Sequence, residues 1–542
     1  MPLTRCLRIF TLLGIPQGYR MVNERETVIL WFKRDLRTND HGPLASLANF
    51  PGTVIPLYVV EPEYWKQNDC SSMQWHFLRD SLRELNIELI EYGLPLVYRF
   101  GKATEVFEDI ANRCNLKSVI AHEETGNEWT YKRDIEVKKW AENRNVIFKE
   151  HPTNGVFRKL NSRDGWKAKR ARRMSKGLHE KPTKFGYRSN LEPGEIPITP
   201  IKFKNQNFTG NLKGGSVAAH EVLKSFIADR HKGYSKSISS PLTAEVHSSR
   251  LSAHLTWGTI SSREIVHRIK AVRDHEHENP KLVNKGDLAA FCSRLAWRCH
   301  FIQKLEDQPS IEHACMHGAF EEVRPKHGNQ YMLKAWSVGS TGFPMVDACM
   351  RFLKQNGWIN FRMRAMLSSF ASYNLWLDWR EFGPHLARSF IDYEPGIHFS
   401  QLQMQSGVTG INTWRIYNPV KQSVDNDPEG IFIRRWVPEL KNVQLNHIHE
   451  PWKMDVCTQK KNKCIIGEDY PEPIIDHQTS GREARLKLGQ VAKSDGYAET
   501  KKKVLTKHGS RSSRRRSGKR NEPSKQLDLL KMDQIKNISK KH

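Results

Sequence analysis

The run SSRLS places hydroxyls at Ser248, Ser249 and Ser252 around Arg250 and Leu251. Hydroxyl oxygens and unpaired backbone N–H groups at a helix start, where the dipole favours negative charge, suit a pyrophosphate. The same residues also describe an ordinary helix N-cap, and alone they leave both readings open. The sequence contains no H-E-x-x-H metal pair, no G-x-x-x-x-G-K-[ST] phosphate loop and no G-x-S-x-G nucleophile elbow. It also lacks a G-x-G-x-x-G after the first β-rich run, where a dinucleotide site requires one, so a large cofactor is expected in the helical part of the chain that follows residue 215. The nine cysteines are odd in number, scattered and without a C-x-x-C pair. They read as reduced intracellular thiols, and no metal site is expected.

The elements that position such residues fall into two kinds. From residue 26, short β-rich runs alternate with helical stretches: TVILWF (27–32), TVIPLYVV (53–60), LVYRF (96–100), SVIAH (118–122) and NVIFK (145–149). The intervening segments repeat apolar residues every three or four positions, so residues 26–150 read as an α/β domain with a parallel, Rossmann-like sheet. Residues 151–215 are rich in Pro, Gly, Asn, Lys and Arg and read as an interdomain linker rather than a packed element. From 216 to 477 amphipathic helical signals follow one another and define an all-helical domain, in which eight of the fifteen Trp fall between Trp257 and Trp436. A plain core role for those tryptophans is the competing reading.

At 542 residues the chain is too long for one hydrophobic core, and 38% hydrophobic residues exclude wholesale disorder. No apolar run approaches the ~20 residues of a membrane helix, so the protein is expected to be soluble or peripheral. The net charge of +27 points to a polyanionic partner. Residues 481–542 alone carry nineteen Lys/Arg against six Asp/Glu, and 478–542 reads as a disordered basic tail, either an electrostatic arm on phosphate or a nuclear-import patch. Residues 1–25 read as an N-terminal extension whose short apolar stretch makes a poor signal peptide, with Met21 as the simpler functional start.

Long ordered blocks then become specific: WFKRDLRTND (31–40), SSRLSAHLTWGTIS (248–261), TGFPMVDACMRFLKQNGWINFRMRAMLSSF (341–370) and WRIYNPVKQSVDNDPEGIFIRRWVPEL (414–440), with HEPW (449–452) and YPEPIIDH (470–477). Together they closely resemble the photolyase/cryptochrome flavoproteins, in order from about residue 27 to 477. The resemblance implies an antenna-type α/β domain, a connector and a helical domain that holds FAD. By the same resemblance Tyr234 and Ser248–Ser252 contact the FAD phosphates, and Arg364 pairs with Asp392 beside the flavin ring, with Glu394 as a second acid. Trp297, followed by Arg298, matches an aromatic wall of the lesion pocket, where a flipped base regains stacking. A second pigment, of folate or flavin/deazaflavin type, is implied near EETGNEWTYKRD (123–134).

Several positions depart from the photolyase pattern. Arg294 stands where the family places an acid on the lesion, Met404 replaces the second aromatic wall, and Phe361 replaces an asparagine beside the flavin. His398 aligns with the residue facing flavin N5, which leads to an expected pH dependence of photochemistry between about pH 5 and 8. Trp379 matches the middle member of the family's electron relay, but Leu402 and a position near Lys326 interrupt the usual chain. Trp376 or Tyr373, a helical turn or less away, offers a substitute route, with packing as the blander account.

The sequence thus reads as a blue-light-dependent FAD flavoprotein, a deoxyribodipyrimidine photolyase-like lyase that repairs pyrimidine photoproducts by photoinduced electron transfer. The alternative is a cryptochrome that signals through flavin photoreduction. A third reading, a light-independent nucleic-acid-binding protein, stands behind both. DNA, as damaged duplex or single strand, is the expected partner, with no membrane, a monomeric state, and a cytoplasmic or nucleoid location, or a nuclear one if the source is eukaryotic.

Overall fold

The computed structural model describes residues 23–183, 185–203, 210, 212–274 and 283–510. The basic run at 511–520 and the first twenty residues, with Met21 and Cys6, lie outside them. Six strands, β1 (Asn23–Phe32), β2 (Thr53–Val60), β3 (Val97–Phe100), β4 (Cys114–His122), β5 (Ile147–His151) and β6 (Tyr187–Arg188), form one sheet. Its order is β3-β2-β1-β4-β5, with β6 beside β2, and every pairing is parallel. Each residue of TVIPLYVV is buried, as a central strand covered on both faces requires. The covering helices α1 (Ser72–Glu91), α2 (Ala103–Ala111) and α3 (Glu128–Asn143) are the crossovers of the repeated βαβ unit. The Asn127 side chain accepts the Thr130 N–H and so starts α3 immediately after the TG pair.

The connector is more structured than its composition implies. Helix α4 (Trp166–Ser175) turns Lys167, Lys169 and Arg172 outward, buries Trp166 and Met174, and holds Arg173 on the carbonyls of Asn154 and Val156. Trp166 donates its Nε1–H to Gln303 at 3.0 Å and packs with Val156, Cys299 and Ile302. The connector is therefore packed against the helical domain at Val156, Phe157 and Trp166, and the linker expectation is corrected there: Lys167, Lys169 and Arg172 mark its wet face.

The helical domain includes α5 (Ser252–Trp257), α6 (Lys285–Asp307), α7 (Phe361–Ser369) and α8 (Pro395–Gln405). Trp257 stacks on Trp65 of the α/β domain at 6.2 Å and donates to the Ile391 carbonyl at 3.0 Å, while Gln74 of α1 donates to the carbonyls of Ala387 and Phe390. These contacts seat the two domains on one another. The domain also runs past its expected end at 477. Helices α9 (His477–Val491) and α10 (Tyr497–His508) occupy residues expected in the tail. Tyr497 lies against His317 with ring centroids 4.3 Å apart, and Val504 is buried. A few apolar anchors suffice to dock helices whose remaining faces are basic. Among the described residues, eight cysteines are free thiols and no helix is long and apolar enough to cross a membrane.

Candidate cofactor pocket

A cavity of about 360 Å³ opens in the helical domain between the 248–252 segment, α6, α7 and α8. Of the expected site residues, Tyr234, Ser248, Ser249, Arg250, Ser252, Arg294, Trp297, Arg298, Phe361, Arg364, Asp392, Glu394 and His398 all line it. Residues spread over more than 160 positions thus share one wall.

The serine segment is shaped by Arg230, whose guanidinium donates to the carbonyls of Ser248 and Ser249. Arg250 adopts φ 60°, a left-handed conformation that non-glycine residues rarely enter, and stacks its guanidinium on Trp358 at 3.9 Å. The Ser248 hydroxyl and Arg250 Nη1 are buried without a partner. Leu251 does not take part: its side chain is fully buried in the core and its N–H is spent on Ser249 Oγ at 3.4 Å.

Two arginine–carboxylate pairs stand on the opposite wall. Arg364 Nη2 donates to Asp392 Oδ2 at 2.8 Å, and its Nε donates to the Ile359 carbonyl at 2.7 Å. Arg298 Nη2 donates to Glu394 Oε2 at 2.6 Å. The second oxygen of Asp392, Oδ1, is buried and unpartnered, while Glu394 Oε1 makes no hydrogen bond but lies 3.9 Å from Arg34 Nη1. Arg294 is turned onto the Tyr234 hydroxyl, to which it donates a hydrogen bond.

Trp297 packs edge-on against His300 at 5.1 Å and beside Phe301 at 5.6 Å, which fixes the plane it presents to the cavity. Phe361 is 42% exposed and sits at the rim, not deep in the site. Asn360, one residue earlier, is buried, anchored through Nδ2 to the carbonyls of Ile238 and Ser239, and leaves Oδ1 unpartnered at the cavity. Sequence reasoning missed it, as it missed Gln401 and Gln405. The lining positions 397, 398, 401, 402 and 405 are one face of α8. Met404 falls off that face and does not line the cavity, which corrects its assignment to the pocket.

His398 is buried and donates Nε2–H to the Gly383 carbonyl at 3.1 Å. Burial, above all, pushes its pKa down to about 3. That burial favours the neutral ring and opposes the pH switch expected between about pH 5 and 8.

The relay residues lie outside the cavity wall. Trp379 is buried with its ring 6.4 Å from Phe399. Trp376 is not on a helix shared with Trp379: a π-turn ends at Asn374, Trp376 adopts φ 53°, and Trp379 opens a new helix. Arg324 and Lys487 lie over the Trp376 ring at 4.5 and 4.7 Å, and two cations oppose the positive charge an electron-donating indole must carry. Trp376 is therefore a poor substitute relay.

Near residues 123–134 the open spaces are small, about 30 and 50 Å³. Arg133 bridges Glu61 at 3.0 Å and Glu124 at 2.5 Å, and Lys33 pairs with Asp134 at 3.0 Å. A second pigment at the strand ends requires these pairs to part. Asp35, His41 and His122 also meet there, but each short contact is a hydrogen bond onto Asp35 Oδ2, at 2.9 and 2.7 Å.

Two family models match the chain: the FAD binding domain of DNA photolyase over residues 291–490, and DNA photolyase over residues 28–172. Similar curated proteins include the deoxyribodipyrimidine photo-lyase of Escherichia coli, 29% identical over 85% of this chain and 97% of that protein. Another is the cryptochrome DASH of Synechocystis, 28% identical over 86% and 98%. A solved class III photolyase from Agrobacterium tumefaciens superposes with a TM-score of 0.76 at 24% identity, covering 87% of this chain and 98% of its own, and shows the shared fold. A two-domain chain with a parallel α/β sheet and a cavity-bearing helical domain defines a photolyase-type flavoprotein. The chain belongs to the photolyase/cryptochrome family.

The cavity fits FAD on its own terms. Buried, unpartnered polar atoms face it from several elements, donors such as Arg250 Nη1 and Gln401 Nε2, and acceptors such as Asn360 Oδ1 and Asp392 Oδ1. Such atoms are costly unless a ligand satisfies them, and a molecule with phosphates, hydroxyls and a ring rich in N–H and C=O groups does so.

Proposed function

We propose that the protein is a light-dependent DNA photolyase acting on a pyrimidine photoproduct. The observation that carries this reading is the continuity of one cavity from a buried polar interior, set for FAD, to an aromatic mouth at Trp297 and Phe361. Bound FAD supplies photoinduced electron transfer. Ser248, Ser249, Ser252, Arg250 and Tyr234 hold its phosphates, and Arg364–Asp392 fixes the charge beside its ring. His398, neutral and oriented by Gly383, presents an Nδ1 acceptor and no charge. Trp297 and Arg298 receive the extruded base, replacing its former stacking, and the basic body draws in the strand.

Arg294 favours a second reading. With a cation spent on Tyr234 where a carboxylate on the lesion is expected, the pocket lacks that recognition group, as a signalling cryptochrome tolerates. Illumination of the purified protein with defined photoproducts separates the two: photolyase restores the pyrimidines, whereas the cryptochrome reading gives flavin photoreduction without repair.

A further inference from the structure

Beyond the cavity, the far end of α6 gathers four basic side chains from three parts of the chain. Arg163 comes from the connector, His300 and Lys304 from α6, and His508 from the last turn of α10. Their relative exposures are 5%, 7%, 2% and 1%. Arg163 is spent: Nη2 donates to His300 Nδ1 at 2.9 Å, and Nη1 lies 3.5 Å from Asp307 Oδ2. Asp307 Oδ1 in turn takes a hydrogen bond from Gln303 at 2.8 Å.

That arrangement fixes the protons. Because His300 Nδ1 accepts, its ring proton is on Nε2, and this N–H is buried with no acceptor. His508 donates Nε2–H to Gln308 Oε1 at 2.8 Å, which leaves Nδ1 as a bare, buried lone pair. The Lys304 ammonium lies 5.5 Å over the Phe301 ring, and the charge that acts on it most is a second cation, Arg163. No carboxylate pairs with Lys304 among the described residues. A buried ammonium without a counter-ion and a buried N–H without an acceptor are each destabilising, and here they occur together.

We propose that this junction is a binding site for hydrogen phosphate. The ammonium of Lys304 and the Nε2–H of His300 donate to two of its oxygens. The P–O–H of the same anion donates to the bare Nδ1 of His508, a bond that sulfate and a phosphodiester, having no such proton near neutral pH, cannot make. The site lies outside the cofactor cavity, and one of its three groups belongs to α10, beyond residues 28–172 and 291–490 that the family models match. Its occupant ties the C-terminal helix to α6. The site does not depend on the repair reading.

The test uses the full-length protein in chloride buffer, titrated with inorganic phosphate or with sulfate at matched ionic strength. Phosphate is expected to raise Tm by about 2 °C and to slow tryptic cleavage at Lys501–Lys503 several-fold, with a much smaller effect of sulfate. Lys304→Met is expected to abolish the phosphate response without lowering Tm in chloride, since it removes an unpaired buried charge. His508→Ala is expected to keep a response but lose the preference for phosphate over sulfate. A 5′-nucleoside monophosphate arm identifies the source: protection equal to that of phosphate assigns the site to monoesters. No phosphate response, an equal response in Lys304→Met, or a lower Tm of Lys304→Met in chloride overturns the proposal.

Discussion

Arg298 Nη2 donates to Glu394 at 2.6 Å and to the Leu255 carbonyl at 3.0 Å, so one guanidinium joins α6, α5 and the segment before α8. Both residues also line the smaller cavity toward the α/β domain, and the pair is a shared wall. Removing Arg298 leaves the buried Glu394 carboxylate with only the more distant Arg34, at 3.9 Å, whereas removing both leaves no such carboxylate. Arg298→Met is therefore expected to cost about 3 kcal/mol, and Arg298→Met combined with Glu394→Leu clearly less. Denaturant melts of the two variants check the order.

Arg364→Ala strips Asp392 of its partner. Asp392 is nearly buried, while the Arg364 side chain is 24% exposed, which places the expected loss at the lower end of the buried-pair range, about 3 kcal/mol. Flavin retained per mole of purified protein is expected to fall as well. Wild-type stability and full flavin content would sink the assignment of this pair.

His398 gives a prediction with a definite sign. Its folded pKa, about 3, lies below the usual value of 6.5, so the unfolded chain binds the extra proton first. Its stabilising contribution is intact above pH 6.5 and is lost as the pH falls toward 3, by about 1.4 kcal/mol per pH unit. His398→Asn should show a shallower acid slope by that amount, while flavin photoreduction stays flat between pH 5 and 8 in both proteins. Melting temperatures across the acid range and photoreduction yields across pH 5–8 read the two effects separately.

Truncation should begin at 511, not at 481. Residues 511–542 carry eleven Lys/Arg against three Asp/Glu, whereas a cut at 481 also removes the Tyr497 and Val504 anchors. Deleting 511–542 is expected to leave Tm and flavin content unchanged and to make log affinity for DNA less steep against log salt, by about 0.7–0.9 for each phosphate that the tail no longer neutralises. The longer deletion is expected to lower Tm.

The sheet was legible because alternating short apolar runs and amphipathic helices leave little freedom in a βαβ chain, and all five expected strands lie within a few residues of β1 to β5. The pocket was legible where chemistry forces a pairing, as at Arg364–Asp392. It was illegible where function lies on a helix face that composition does not distinguish, as for Asn360, Gln401 and Gln405. Charge misled twice: α4 and α10 hold so few apolar residues that their wet faces dominate the composition. His398 misled for another reason, because its unperturbed pKa says nothing of the burial that keeps it neutral.

The most direct measurement of the central claim is repair of a defined pyrimidine photoproduct in DNA by purified, flavin-loaded full-length protein, in blue light and in darkness, beside Trp297→Ala. The account predicts light-dependent restoration of the pyrimidines by the wild type and a loss of about 5- to 150-fold in Trp297→Ala, equivalent to the ~1–3 kcal/mol of one aromatic stacking interaction, with flavin content unchanged. No repair by a fully loaded, photoreducible wild-type protein, or equal repair by Trp297→Ala, would contradict it.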